Sequence, residues 1–348
     1  MKAIKIDLKE NSYNVYISEI AKLKELKEIH HSKILIITNP KVSALHIQKI
    51  LPNLENKEVF ICTLKDGESY KNMQSIEAIL DNAFIHKLDR KSLIIAFGGG
   101  VIGDMSGFAA GIYQRGIDFI NIPTTLLAQV DASVGGKTGI NNAFGKNLIG
   151  IFHQPKAVYI DTNFLSTLNK REFRAGISEI IKMAVCFDKD FFSFLENANL
   201  LNSKEDLEKA IIKSIQIKAD IIRKDERESG IRAALNYGHT FGHVIELLEN
   251  YSTYLHGEAV SLGIIKANRL ALKLGKISQN ESDRILNLLK KYNLPTEYEV
   301  KDKNDFYKKL FLDKKSQNDK LRFILPNGIG AFEIVENPPK DLVLEALG

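Results

Sequence analysis

The chain has 348 residues, 44% hydrophobic and 26% charged. Those values predict two domains, three at most, with a sizeable core, and exclude disordered, collagen-like and coiled-coil chains. Lys plus Arg number 48 against 43 Asp plus Glu, a net charge of +5; even with a pI near 8.8 the surplus is too thin for a nucleic-acid footprint and better suits small anionic substrates.

The N-terminus, MKAIKIDLKE, lacks an apolar run and carries Asp7 and Glu10, so no signal peptide is expected. Cys62 and Cys186 form neither a disulfide framework nor a zinc knuckle and read as buried thiols of a reducing cytoplasm. Ile4, Ile6 and Leu8, then Tyr13, Val15 and Ile17, alternate as an opening hairpin. Short apolar runs follow at Ile34–Ile37, Val59–Ile61, Leu93–Phe97, Phe119–Ile122 and Ala157–Ile160, separated by helical patterns. That alternation predicts a parallel sheet covered on both faces. The most apolar stretch, Leu93 to Tyr113, holds Asp104 and six glycines; it reads as a buried strand followed by a helix, not a membrane span. Beyond residue 161 helical periodicity dominates. Leu207, Ile211, Ile215 and Ile222 form a stripe, and the charges of 201–230 form a solvated face. The expected fold class is α/β: an N-terminal Rossmann-like parallel-sheet domain (1–160) plus a C-terminal mostly α-helical domain (161–348), with the active site in the cleft.

Residues 98–155 hold 12 of the 23 glycines and only six charged residues: Asp104, Arg115, Asp118, Asp131, Lys137 and Lys146. Glycine lets backbone approach a ligand or a neighbouring helix, and charges in such a segment need reasons. Gly98-Gly99-Gly100-Val101-Ile102-Gly103-Asp104 follows a predicted strand and opens a predicted helix, the setting in which G-x-G-x-x-G binds a pyrophosphate. The usual fingerprint occupies the first βα turn. Two strands precede this one, so it reads as a variant of the doubly wound design.

Asp66-Gly67-Glu68-Ser69-Tyr70-Lys71 follows the Val59 strand. Its acids suit ribose hydroxyls and Lys71 a phosphate, but on the residues alone a turn with an N-capping Ser or Asp is preferred. Thr124 and Thr125 after Pro123 cap the next helix or touch a cofactor at the carboxyl edge of the sheet, the cap being the safer reading. Asp131 to Gly139 ends in Gly-Gly-Lys-Thr but has Asp131 where a P-loop needs glycine, which disfavours ATP hydrolysis. What remains is a glycine-rich turn presenting Lys137, with Lys146 and Asn147 nearby, suited to phosphate or carboxylate.

His239, His243 and His256 fall within eighteen residues. The first two share a helix face, and catalytic zinc commonly takes three ligands from His and carboxylate. Spacing does not name the carboxylate: Glu179, Glu246 and Glu258 all qualify, and His243 is itself a candidate ligand. Glu179 has Lys182 three residues on. Lys218, Arg223, Arg227 and Arg232 precede His239, most of them solvated.

Together these segments, with Phe152-His153-Gln154-Pro155, Ser178-Glu179, Leu235 to His243, His256-Gly257-Glu258 and Asp313-Lys314-Lys315, resemble the 3-dehydroquinate synthases of the sugar phosphate cyclase family over nearly the whole chain. The resemblance implies an NAD-binding α/β domain, a helical zinc domain and a homodimer. It implies Glu179, His239 and His256 as metal ligands for zinc or cobalt, and His243 as a substrate contact. It implies an NAD site lined by Asp66, Gly67, Glu68, Ser69, Tyr70, Lys71, Gly100, Val101, Ile102, Gly103, Asp104, Thr124, Thr125, Lys137, Lys146, Phe164, Leu165, Ser166 and Thr167. Asp131, Lys137, Asn147, Lys182, Lys218, Arg232, Asn236 and His243 match substrate-site residues. Arg115 matches an arginine that reaches the neighbouring subunit's site, and Lys314 or Lys315 closes over a phosphate.

The implied reaction turns 3-deoxy-D-arabino-heptulosonate 7-phosphate into 3-dehydroquinate and phosphate, a step of aromatic amino-acid biosynthesis. It runs through NAD-dependent oxidation at C5, β-elimination of phosphate, re-reduction, ring opening and aldol closure. The substrate is thus a phosphorylated keto-acid sugar, and no membrane or nucleic-acid partner is expected. The rivals are a cyclase of the 2-deoxy-scyllo-inosose synthase type, whose glucose 6-phosphate lacks a carboxylate for Arg232 and Lys218, and an NAD- and metal-dependent polyol dehydrogenase, which would release NADH.

Overall fold

The computed structural model describes residues 1–228, 230–311 and 321–348. It forms two compact units: residues 1–169 with 218–227, and residues 170–217 with 228–348.

The first unit is built on seven strands: β1 (Lys2–Ile6), β2 (Tyr13–Ile17), β3 (Lys33–Thr38), β4 (Glu58–Thr63), β5 (Leu93–Gly98), β6 (Asp118–Pro123) and, after an intervening hairpin, β9 (Ala157–Ile160). Their order is β1-β2-β9-β6-β5-β3-β4. β1 and β2 pair antiparallel, with Ile4 opposite Val15; the other pairs are parallel. The strands that the apolar runs predict are all present.

Successive strand residues face opposite ways, so a strand apolar throughout needs cover on both sides. Leu35, Ile37, Ile94 and Phe119 pack with Ile76 and Ile79 of α3 (Met73–Ile85) and Met105 and Phe108 of α4 (Gly100–Ile112). Ile34, Ile36, Ile95 and Ile120 pack on the other face with Leu26 of the short α1 (Lys24–Lys27) and Ile50 of α2 (Pro40–Ile50). Asn39 caps α2 by accepting from Val42 N at 2.8 Å, with Pro40 in the first turn. Asn72 caps α3 through Ser75 N at 3.1 Å, so neither the Ser nor the Asp of the preceding turn does. α2 leads from β3 outward to β4, whereas α4 leads from β5 the opposite way to β6. The topological switch point therefore lies between β3 and β5, where such sheets bind ligands at the strand carboxyl ends. This explains why the glycine turn follows β5 rather than the first parallel strand.

One local expectation is corrected. The glycine-rich turn expected within 131–139 gives way at Lys137 to an antiparallel hairpin, β7 (Lys137–Asn142) with β8 (Gly145–Phe152). Its strands run so close that a Cβ on Gly150 would overlap the Thr138 carbonyl. That crossing needs glycine, and the glycines hid the strand pattern.

The second unit is mostly helical: α5 (Lys170–Phe187), α6 (Lys189–Asn197), α7 (Lys204–Lys224), α8 (His239–Leu248), α9 (His256–Lys273), α10 (Gln279–Lys291), α11 (Lys303–Leu310) and α12 (Lys340–Ala346), with a hairpin of β10 (Arg322–Pro326) and β11 (Phe332–Glu336). From Lys218 on, α7 belongs to the first unit. The predicted stripe Leu207, Ile211, Ile215 and Ile222 is buried. Among the described residues no helix is long and apolar enough to cross a membrane.

Candidate active site

Three helices of the second unit bring one carboxylate and two imidazoles together. Glu179 on α5 is fully buried, and its Oε1 lies 3.6 Å from His239 Nε2 and 3.7 Å from His256 Nε2. The three ligand atoms fall within 4.8 Å of one another. Close helix crossings make this possible. A Cβ on Gly257 would overlap the Ala175 carbonyl of α5, and one on Gly263 would overlap the Gly238 carbonyl before α8. Gly238 also takes φ +80° at the start of α8, in the left-handed region that favours glycine.

The tautomers suit a cation. His239 Nδ1 lies 3.1 Å from the Tyr237 carbonyl. A carbonyl only accepts, so Nδ1 carries the hydrogen and Nε2 keeps its lone pair. Burial first, then the charges of Lys182, His256 and His243, hold His239 well below the ordinary histidine pKa, which keeps it neutral. Glu179 Oε1 has no hydrogen-bond partner among the described residues, and Oε2 is paired with Lys182 Nζ at 2.5 Å. A buried carboxylate and two imidazole Nε2 atoms form a donor set that zinc or cobalt accepts. The other two carboxylates have different work. Glu258 accepts from Arg171 Nε at 2.7 Å and Nη2 at 2.6 Å, and from Leu255 N at 2.9 Å. Glu246 sits behind His256, 3.4 Å from its Nδ1. His243 is one turn from His239, its ring 5.5 Å from that of His239 and 6.0 Å from that of His256.

In the first unit the glycine turn joins β5 to α4, and the α4 N-terminus carries no side-chain cap. Its amides are thus available to an anion. Beside it Lys71, only 4% exposed, donates to Asp104 and to Asn147 Oδ1 at 2.5 Å. Burial raises the Asp104 pKa against the opposing pull of Lys71. Asn39 Nδ2 holds Asp66 Oδ1 at 3.1 Å, and Asn141 Nδ2 holds Glu68 Oε1 at 2.8 Å. Sequence reasoning missed both asparagines; the place of Asn39 directly after β3 was the available signal. Gly67 and Ser69 belong to the same turn, and Tyr70 at its end is partly exposed. Val101, Ile102 and Gly103 lie in the first turn of α4.

Thr124 is buried and Thr125 Oγ1 accepts from Ala128 N at 3.2 Å, the capping role preferred from sequence. Lys137 opens β7, and Lys146 and Asn147 lie on β8. Asp131 receives Lys218 through its carboxylate and, at 2.6 Å, its carbonyl. Phe164 and Leu165 are buried, Phe164 within the core of the sheet; Thr167 Oγ1 meets His46 Nε2 at 2.7 Å, and Ser166 Oγ donates to the Asn163 carbonyl. In the second unit Arg232 is 2% exposed, and Asn236 Nδ2 donates to Glu228 Oε1 at 2.7 Å. Arg115 is exposed at the end of a turn. Lys314 and Lys315 lie outside the described residues.

Two family models match in succession: 3-dehydroquinate synthase N-terminal over residues 61–175 and 3-dehydroquinate synthase C-terminal over residues 176–316. A 3-dehydroquinate synthase from Nitratiruptor sp. is 58% identical over 345 residues, 98% of this chain and 97% of that protein. Among solved structures, 2-epi-5-epi-valiolone synthase from Streptomyces hygroscopicus subsp. jinggangensis, with NAD+ and Zn2+ bound, is 28% identical with TM-score 0.89, covering 98% of this chain and 97% of that one. A 2-deoxy-scyllo-inosose synthase complexed with carbaglucose-6-phosphate, NAD+ and Co2+ is likewise 28% identical with TM-score 0.89, covering 99% of each chain.

Proposed function

We infer the reaction from one premise: the chain belongs to the 3-dehydroquinate synthase family. It converts 3-deoxy-D-arabino-heptulosonate 7-phosphate to 3-dehydroquinate and phosphate, using NAD and one divalent metal, zinc or cobalt. The observation that carries this is the approach of His239 and His256 Nε2 to the buried Glu179 carboxylate.

When bound, NAD supplies a hydride acceptor that returns its hydride, and the metal a Lewis acid for the substrate hydroxyls. Glu179, His239 and His256 hold the metal. Lys182 offsets the cost of burying Glu179 and presents positive charge to an anionic substrate. The uncapped N-terminus of α4, with the segment from Asp66 to Lys71 and Asp104, takes the dinucleotide. Thr124, Thr125, Lys137, Lys146 and residues 164–167 complete that site. Asp131, Lys137, Asn147, Lys182, Lys218, Arg232, Asn236 and His243 orient the substrate; the buried Arg232 guanidinium suits its carboxylate, and Lys314 or Lys315 its phosphate. Positioned charge of this kind favours the anionic transition states of elimination and aldol closure. The α/β domain, 1–160, serves NAD, and the helical domain, 161–348, serves the metal and substrate. The enzyme works in the cytoplasm as a homodimer in which Arg115 completes the neighbouring subunit's site.

The test follows phosphate release and NADH absorbance together, with the heptulosonate phosphate, NAD and zinc. Phosphate release without net NADH, with dehydroquinate as product, is the expected result. Net NADH without phosphate would indicate a polyol dehydrogenase instead. If neither appears, glucose 6-phosphate is the next substrate to try.

A further inference from the structure

His256 has a carboxylate on each side of its ring. Nε2 faces Glu179 at 3.7 Å, and Nδ1 faces Glu246 Oε2 at 3.4 Å. The side chain of His256 is 34% exposed, so packing alone does not fix the ring. His239 differs: it is 7% exposed, with its Nδ1 on a main-chain carbonyl. Glu246, on α8 and 2% exposed, stands where it can hold His256 in register.

We propose that Glu246 is a positioning residue of the metal centre: its carboxylate accepts the Nδ1 hydrogen of His256, fixes the tautomer with the lone pair on Nε2, and makes that nitrogen a stronger ligand. This role presupposes the metal centre proposed above. The physics is that of a carboxylate–histidine–metal relay, in which the outer carboxylate orients the ring and raises ligand basicity. A competing arrangement exists, because donor atoms of His243, Glu246 and His256 also fall within 4.8 Å. There Glu246 would ligate directly through the Nδ1 side of the ring. The two buried carboxylates differ in a way that decides between these. Glu179 Oε1 has no hydrogen-bond partner and faces the Nε2 atoms of both His239 and His256, whereas Glu246 Oε2 faces the His256 Nδ1. The cation belongs to the first and the proton to the second.

The experiment measures Zn2+ affinity of the full chain by competition with a chromogenic chelator, and the visible spectrum of the Co2+-loaded protein. It compares the parent with Glu246→Gln, Glu246→Ala and Glu179→Ala, and melting of the metal-free proteins reports folding. Glu246→Ala should bind Zn2+ about 10–100-fold more weakly at unchanged stoichiometry, with shifted Co2+ bands. Glu246→Gln keeps an acceptor oxygen without its charge and should fall between; it carries the test if the alanine variant does not fold. Parent-like affinity and spectrum in the glutamine and alanine variants would overturn the proposal. So would loss of metal from Glu246→Gln as complete as from Glu179→Ala, since Glu246 would then be a ligand. Parent-like binding by Glu179→Ala would instead remove the metal centre itself.

Discussion

Lys71 is 4% exposed and its ammonium is held by Asp104 and Asn147. Removing one member of a buried ion pair leaves a charge without compensation, which costs about 3–5 kcal/mol. Lys71→Met should therefore lower the urea midpoint strongly and weaken NAD binding. Replacing both partners, Lys71→Met with Asp104→Leu, leaves no stranded charge. Stability should then recover in large part while NAD affinity stays low. Urea unfolding and an NAD titration on both variants separate the two roles; full recovery of NAD binding in the double variant would show the pair to be structural only. The same scale shows what sequence spacing could name. It put His239, His243 and His256 together but left open which of them ligate and which of three carboxylates joins them. The choice depends on contacts between distant parts of the chain, such as Arg171 on Glu258, 87 residues apart, which no local pattern reveals.

Helices α5, α8 and α9 can present Glu179, His239 and His256 to one point because glycine lets them touch. A Cβ on Gly257 would overlap the Ala175 carbonyl, main chain that no rotamer can move. Gly257→Ala should push α9 from α5, cost about 1–3 kcal/mol as overpacking does, and weaken metal binding because His256 is the adjacent residue. Unchanged zinc affinity in a destabilised variant would sink the link between crossing distance and the site. Further along, α9 fastens the C-terminal helix through Lys266, 2% exposed, whose Nζ donates to the Leu347 carbonyl at 2.8 Å and the Tyr298 carbonyl at 3.3 Å. Burial, then the charges of Arg269 and Lys303, push its pKa from 10.5 down to about 8. Between those values the unfolded chain binds more protons than the folded one, so this group's contribution grows as pH rises to 10.5 and is lost as pH falls through 8. Lys266→Met should flatten that slope in urea unfolding measured across the window; an unchanged slope assigns it to another group. At this scale the parallel strands were legible because a strand covered on both faces is apolar throughout. The hairpin of β7 and β8 was not: its close pairing needs glycine at 139 and 150, and glycine weakens the apolar alternation by which a strand is read.

At the scale of the whole molecule the open matter is what lies against the first unit's exposed apolar surface. Phe144 is 91% exposed, Leu148 61% and Phe152 44%, all on the β7–β8 hairpin or its turn. If the homodimer proposed above forms, these side chains belong to the surface it would cover. Arg115 gives the dimer a functional test. If Arg115 serves the neighbouring subunit's site, Arg115→Ala and Glu179→Gln disable the same site from two different chains. Each homodimer should be nearly inactive. In a mixed dimer the Arg115→Ala chain keeps its own Glu179 and receives Arg115 from the other chain, so one of its two sites is whole. Random pairing makes half the dimers mixed, and co-expression should restore about a quarter of parental activity. Dimers formed separately and mixed without exchange should restore none. If Arg115 acts within its own chain, every site in a mixed dimer lacks one residue or the other and no activity returns. Phosphate release from the co-expressed pair distinguishes the two. Phe144→Asp, which puts a charge on the apolar surface, should abolish the recovery and shift the protein to monomer on a sizing column.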